Sequence, residues 1–366
     1  MKMKSGRATI FALHAAVLWG VFTPVLAADI SGAGSTFASP IISEWANLYK
    51  TETRALIRYR PIGSGSGVWL IKNRIVDFAV SDVSLTPQEL DADDVVQFPI
   101  VIGAVVPVFN LHGIGAGQLK LTGRVLADIY LRKISSWSDA AIADLNPGLT
   151  LPDKKIIPAH RAEDSGTKYI LFDYLAKASS DWKLSADAAG SIGYPYGGDG
   201  KGNERVSGFV EATEGAIGYV AYSYVKQRNL AYAVVQNHDG EFVAPSIETI
   251  KSAVANANWY DAFAFYRPLT NLPGKQSWPI CGAAYVVMSR SQLRQDVAGN
   301  LLRFFDWAYR NGGAPAEQLA YAPVPREVVD VLEAIWTNIK TAARSRCMVT
   351  STRCSCKVDP PELSAP

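Results

Sequence analysis

Seven consecutive residues, Arg161-Ala162-Glu163-Asp164-Ser165-Gly166-Thr167, place a guanidinium, two hydroxyls and a glycine in one short segment. An apolar run, Ile156 to Ala159, precedes them and reads as a strand ending. Lys168 to Leu175 follows with helical apolar spacing. Asp164 or Ser165 can cap that helix, and Gly166 lets the backbone approach whatever sits at its mouth. A helix N-terminus offers unpaired N–H groups and the positive end of the macrodipole. With Arg161, Ser165 and Thr167 beside it, the segment has the chemistry of an oxyanion seat. An ordinary capped helix with a surface arginine is the competing reading of this stretch alone.

Three further junctions carry similar residues. Ser31-Gly32-Ala33-Gly34-Ser35-Thr36-Phe37 leads into a helix whose apolar face holds Phe37, Ile41, Trp45, Leu48 and Tyr49, with Pro40 tolerated in the first turn. It is not a dinucleotide fingerprint, because Phe37 stands at the third glycine position. Ala55 to Arg60 reads as a strand, followed by Pro61-Ile62-Gly63-Ser64-Gly65-Ser66-Gly67 and a helix from Val68 to Asn73. Gly65 occupies the serine position of a nucleophile elbow, so that motif fails. Val76 to Val80 is a strand ending in Ser81-Asp82, with a helix start at Thr86-Pro87.

The remaining chain supplies the frame. Gln97 to Asn110 is almost continuously apolar, as expected of a buried strand crossing between lobes. From about 111 to 256 the βα pattern restarts, with helices expected over Thr122–Leu131 and Ser135–Leu145, a strand over Ala216–Tyr222, and a hairpin joining Leu230–Val235 to Glu241–Ala244. Gly197 to Asn203 resembles a phosphate loop, but Gly202 stands where a metal-binding Ser or Thr belongs, so a flexible turn before a helix is expected. After 257 the chain returns to the first lobe through a strand at Ala283–Met288 and helices at Gln292–Tyr309 and Pro325–Lys340. Open α/β sheets bind ligands beyond the carboxyl ends of their strands. Three such junctions in one lobe and the fourth in the other place a ligand in an interlobe cleft closed by a hinge.

Residues 1–27 read as a secretory signal peptide. Lys2, Lys4 and Arg7 form a basic start, Ile10 to Val21 an apolar stretch, and Val25-Leu26-Ala27 a small-residue cleavage pattern. Without those three cations, Lys+Arg falls from 36 to 33 against 34 acidic residues, a net charge near −1. That balance, with no basic stripe, argues against a nucleic-acid partner. The four cysteines are Cys281, Cys347, Cys354 and Cys356, so no disulfide framework runs through the fold, and the tail spacing fits no zinc pattern. Neither a metal nor a cofactor is expected, and 341–366 reads as disordered.

Gly32 to Phe37, Ile62-Gly63-Ser64, Val76-Asp77-Phe78 with Ser81-Asp82, and Arg161-Ala162 with Ser165-Gly166-Thr167 resemble the periplasmic phosphate-binding proteins, the solute receptors of bacterial phosphate ABC transporters. The likeness continues through Gln97-Phe98-Pro99, Asp128-Ile129-Tyr130, Asn146 to Leu149, Gly200 to Asn203, Gly215 to Tyr219 and Phe304 to Ala308, covering about 29–340. It implies an α/β, two-lobed periplasmic-binding-protein fold, type II-like, each lobe a mixed sheet flanked by helices. Lobe I would comprise 28–110 plus 257–340, and lobe II 111–256. It further implies a periplasmic monomer that holds one dehydrated phosphate and delivers it to a membrane permease. Carried over position by position, the donors are Thr36, the backbone of Phe37, Ser64, Arg161, Ser165, and the backbone of Gly166 and Thr167. Asp82 matches the carboxylate that accepts the phosphate proton. The family usually carries Asp where this chain has Glu163, and its chains end before the cysteine-bearing tail.

The chemistry supports the same direction. A desolvated dianion needs donors on its oxygens, and sulfate at neutral pH has no proton to give Asp82; two facing acceptors cost about 1–3 kcal/mol in a dry site. A helix cap before Val83 is the plainer role for Asp82. Asp164-Ser165-Gly166-Thr167 also matches the aspartic-protease pattern, but that chemistry needs a second such motif and none exists here. His112, His160 and His238 accompany no nucleophile elbow, and His160 reads as a surface residue at a strand end. A receptor for sulfate or molybdate is the nearer alternative, and an exported structural protein the more distant one.

Overall fold

The structure, a computed structural model, describes residues 29–189, 198–258, 269–291, 295–333 and 336. The expected leader at 1–27 and tail at 341–366 lie outside them.

Four strands begin the chain: β1 (Asp29–Gly34), β2 (Leu56–Pro61), β3 (Phe78–Ser81) and β4 (Val95–Phe109). They are followed by β5 (Lys120–Leu121), β6 (Ile157–Arg161), β7 (Gly198–Gly200) and β8 (Ala216–Ala221). The last are β9 (Val234–Gln236), β10 (Phe242–Val243), β11 (Cys281–Ser289) and β12 (Ala322–Pro323). Helices α1 (Ser39–Thr53), α2 (Ser64–Lys72), α3 (Pro87–Ala92) and α4 (Gly123–Tyr130) flank the first part. Then come α5 (Ala140–Ala143), α6 (Gly166–Ala178), α7 (Ser180–Ala189) and α8 (Gly202–Ala212). The set closes with α9 (Tyr222–Arg228), α10 (Ile247–Ala255), α11 (Gln295–Asn311) and α12 (Gly313–Gln318).

The main sheet runs β2-β1-β3-β11-β4-β8-β6-β7, with β12 also on β4, and a smaller sheet runs β10-β9-β5. Parallel β1, β2 and β3 meet antiparallel β11, so the sheet is mixed. The architecture is the two-lobed α/β fold, and β4 explains how the lobes join. Its residues from Val95 to Ala104 pair with β11, and those from Val105 to Phe109 pair with β8. One strand therefore sits inside both arrays. It is buried along its length apart from Val96, which is why its sequence shows no alternation. Pro99 is tolerated there because the pairing with β11 slips one residue between Ala284 and Tyr285, and Tyr285 faces Pro99 at the irregularity.

Two helical expectations change. The helix expected from Val68 begins at Ser64. Glycine-rich composition argues against helix, but a Cβ at Gly67 would come within 2.5 Å of the Gly34 Cα, so glycine there lets α2 lie directly on β1. The helix expected over Ser135–Leu145 shrinks to α5, capped by Asp139. Ahead of it Ser136 bridges to Lys155, and the indole of Trp137 donates to the Gly215 carbonyl at 2.9 Å, holding that segment in a turn. The last expected helix is seen over 326–333, and its continuation toward Lys340 lies outside the described residues apart from Trp336.

Candidate functional site

The chain leaves the carboxyl ends of β1, β2, β3 and β6 at the four junctions singled out in the sequence. At the first, Gly34 adopts φ 136, and any Cβ there would strike the Val80 carbonyl, so the turn requires glycine. Three tyrosines then hold the following carbonyls. Tyr59 Oη donates to the Ser35 carbonyl at 2.9 Å, Tyr224 Oη to that of Thr36 at 3.1 Å, and Tyr321 Oη to that of Phe37 at 2.5 Å. In a planar trans peptide the next N–H points opposite to the carbonyl. The N–H groups of Thr36 and Phe37 are thus turned away from the tyrosines. The Phe37 side chain is fully buried and packs edge-on against Tyr321, serving as an anchor.

Asp82 lies at the end of β3, buried, between two serines. Ser35 Oγ donates to its Oδ1 at 2.5 Å, and Ser64 Oγ donates to Oδ2 at 3.3 Å while accepting from the Asp82 N–H at 3.2 Å. Burial pushes the Asp82 carboxyl up from 3.8 to about 7, against the opposing pull of Ser35, Arg161 and Ser64. Asp82 is not a helix cap: Thr86 caps α3, in a reciprocal box with Glu89.

From β6 comes Arg161, whose side chain is 1% exposed. Its Nε donates to Glu163 Oε1 at 2.9 Å and its Nη2 to Thr36 Oγ1 at 3.1 Å, with a second contact from Nη2 to Glu163. Nη1 is buried and bonded to none of the described residues. Glu163 Oε1 also accepts from the Gly202 N–H at 2.9 Å. Burial raises the Glu163 carboxyl, but the Arg161 bond and charge together with the Gly202 N–H outweigh it and leave it below the ordinary glutamate value. Ser165, not Asp164, caps α6, accepting from the Lys168 N–H at 3.2 Å. Its oxygen is engaged as an acceptor, which leaves its proton free to be donated. The two sides touch here. Gly65 N–H donates to the Asp164 carbonyl at 3.2 Å, and a Cβ on Gly166 would lie 2.4 Å from the Asp82 Cβ. The N-terminus of α6 therefore rests on the Asp82 carboxylate.

All eight expected residues, Thr36, Phe37, Ser64, Asp82, Arg161, Ser165, Gly166 and Thr167, border this one contact region. Two expectations nearby are overturned. In the Gly197–Asn203 segment the expected turn is a strand where it is described, β7 pairing with β6, while the helix expected after it, α8, starts at Gly202. Helix α8 has no side-chain cap of its own; Glu163 and Thr36 take its Gly202 and Asn203 N–H groups instead. His160 is not at the surface but buried, its ring edge-on to Tyr130 at 5.8 Å. Among the described residues no cluster of His, Cys, Asp and Glu is placed to hold a metal, and no helix is long and apolar enough to cross a membrane.

Residues 23–311 match the model of the PBP superfamily domain. The phosphate-binding protein PstS of Pasteurella multocida is 42% identical over 333 residues, covering 90% of this chain and 97% of its own. That of Haemophilus influenzae is 42% identical over 85% of this chain and 94% of its own. The chain belongs to the PstS family of phosphate-binding proteins, within the PBP superfamily. A solved phosphate-binding protein from Stenotrophomonas maltophilia shares the fold, with a TM-score of 0.63 at 20% identity over 84% of this chain and 94% of that one. Members of the PstS family are binding proteins, so the hydrolase reading of Asp164 to Thr167 is set aside.

Within this PstS-family chain, sequence reading missed Ser35, Asn203 and the three tyrosines. Ser35 adjoins Thr36, and only the backbone geometry decides that Ser35 faces Asp82. Asn203 sits in a stretch whose glycines read as a turn. The tyrosines act from 24, 188 and 284 residues away, a distance no local pattern conveys.

Proposed function

We propose that this chain binds inorganic phosphate at the junction of β1, β2, β3 and β6 and delivers it to the membrane permease of an ABC-type transporter. The observation that carries the reading is the placement of Asp82. It is a buried carboxylate flanked by Ser35 and Ser64 and opposed across the cleft by the α6 N-terminus and Arg161. The free N–H groups of α6, the Phe37 N–H, the hydroxyls of Thr36, Ser165 and Thr167, Arg161 Nη1, and the Ser64 hydroxyl once it turns from Asp82 Oδ2 to the ligand, supply donors for the oxygens. Monohydrogen phosphate brings a proton that Asp82 accepts; sulfate near neutral pH brings none, and two acceptors then face each other unpaired. The curated relatives carry phosphate in their names, which supports the ligand class. The basic start, apolar stretch and small-residue pattern of residues 1–27 support export to the periplasm. We divide the chain into 28–110 with 257–340 and 111–256, supported by the change of partner strand along β4.

The test is calorimetric titration of phosphate and then sulfate into protein stripped of ligand by unfolding and refolding, with wild type and Asp82→Asn side by side at pH 8, where Asp82 is ionised. Tight phosphate binding without sulfate heat is expected for wild type, and a narrowed preference for the variant. Sulfate bound as tightly as phosphate by wild type, or no oxyanion bound at all, overturns the reading.

A further inference from the structure

Asn203 is completely buried at the second position of α8. Its side-chain oxygen accepts from the Ala221 N–H, at the end of β8, at 2.9 Å. That bond settles which end of the amide faces which way. Nδ2 consequently points at two hydroxyls, donating to Thr36 Oγ1 at 2.9 Å and to Thr167 Oγ1 at 3.2 Å. The Asn203 backbone N–H reaches Thr36 Oγ1 as well, at 3.2 Å, and Arg161 Nη2 is a third donor to it at 3.1 Å.

A hydroxyl oxygen has two lone pairs and one proton, whereas amide and guanidinium N–H groups only donate. Three donors exhaust the accepting capacity of Thr36 Oγ1, so any further bond it makes must use its own proton. Thr167 Oγ1 has one lone pair engaged by Nδ2 and is biased the same way. Neither hydroxyl donates to any described residue. Thr36 follows β1 and Thr167 lies on α6, so one amide sets hydroxyls on both sides of the cleft.

We propose that Asn203 is a positioning residue of the anion site: it fixes the Thr36 and Thr167 hydroxyls as donors toward the bound oxyanion. Ligand oxygens at these two positions must then be bare acceptors, which leaves the Asp82 side as the place for the ligand's proton. The proposal rests on the phosphate reading given above and assigns a polarity to its threonines.

The experiment is a double-mutant cycle read by phosphate titration of ligand-stripped protein. Asn203→Ala is expected to weaken binding about tenfold in the wild-type background. In a Thr36→Val/Thr167→Val background, where no hydroxyl remains to be oriented, the same change should cost less than about twofold. Equal losses in both backgrounds would mean that Asn203 only supports the fold, and would overturn the proposal. Wild type silent toward phosphate sinks the reading of the site and this inference with it; wild type that binds while the cycle is additive sinks the inference alone. Neutron diffraction from the wild-type phosphate complex needs no variant to fold or bind. Deuterons on the phosphate side of both threonine oxygens are expected, and deuterons turned elsewhere refute the assignment.

Discussion

Removing the titratable group at Asp82 should stabilise the ligand-free protein, and by an amount that grows with pH. In the unfolded chain the carboxyl titrates at the ordinary 3.8, whereas in the folded protein burial lifts it to about 7. Below pH 3.8 both states hold the proton and the site costs nothing. Between the two values the unfolded chain has released a proton that the folded protein retains, so stability falls as pH rises. Above about 7 both states are ionised and the penalty is complete. The interval from 3.8 to about 7 corresponds to about 4 kcal/mol. Asp82→Asn keeps the shape and can keep a hydrogen bond with each serine while removing the charge. Scanning calorimetry of stripped wild type and variant in phosphate-free buffer should therefore show melting temperatures that nearly coincide near pH 4. They should separate by on the order of 5–10 °C near pH 8. Other ionisable groups affect both proteins alike and cancel in the difference. A gap that stays constant from pH 4 to 8, or that narrows as pH rises, refutes the argument that this carboxylate is held against its own solvation.

The same titration predicts that sulfate, excluded near pH 8, gains affinity as the pH falls through 7 and Asp82 takes up a proton to donate; titrations at pH 5.5 and 8 compare the two. Gly166→Ala places a methyl against Asp82 and the Ser64 Oγ, 2.7 Å away, and should weaken phosphate binding by roughly 10- to 100-fold and, because the same clash is present without ligand, lower the ligand-free melting temperature by on the order of a few degrees. Arg161→Lys cannot serve Glu163, Thr36 and an anion at once from a single ammonium, so affinity should fall by roughly a hundredfold in the same titration. Cys281 is fully buried and its thiol is pushed up by burial. Peptide mass spectrometry after alkylation at pH 8 should find it unmodified in the native protein and fully labelled in denaturant.

Much of this architecture was legible because it is locally encoded. Glycine and hydroxyl residues between an apolar run and a helical pattern mark strand–loop–helix junctions, and the fold brings four of these, with the eight residues expected on them, to one region. The start of α2 was not legible, because the preference of Ser64 to Gly67 for loop is overridden by close packing of Gly67 on Gly34. Nor was the burial of His160 at the end of a strand, since alternation does not reveal a second layer covering that face. Asn203 and the tyrosines escaped for a different reason: their identities are ordinary, and their roles arise only when distant segments meet. Glu163 was recognised as a departure from its family, but its bond to the Gly202 N–H could not be foreseen from its length alone.

The sharing of β4 between both arrays also dictates an order of assembly. As the chain lengthens from its N-terminus, the partners of Val105 to Phe109 arrive with residues 217–221, and those of Val95 to Ala104 only with 281–289. The β8 side can therefore zip first, while the opposite end of β4 and the β3 edge wait for a strand about two hundred residues away. Closing so long a loop is slow, and an apolar strand waiting unpaired is an invitation to pair with another chain. Refolding should thus show an early phase on the β8 side and a late one as β11 inserts, with aggregation competing in the interval between them.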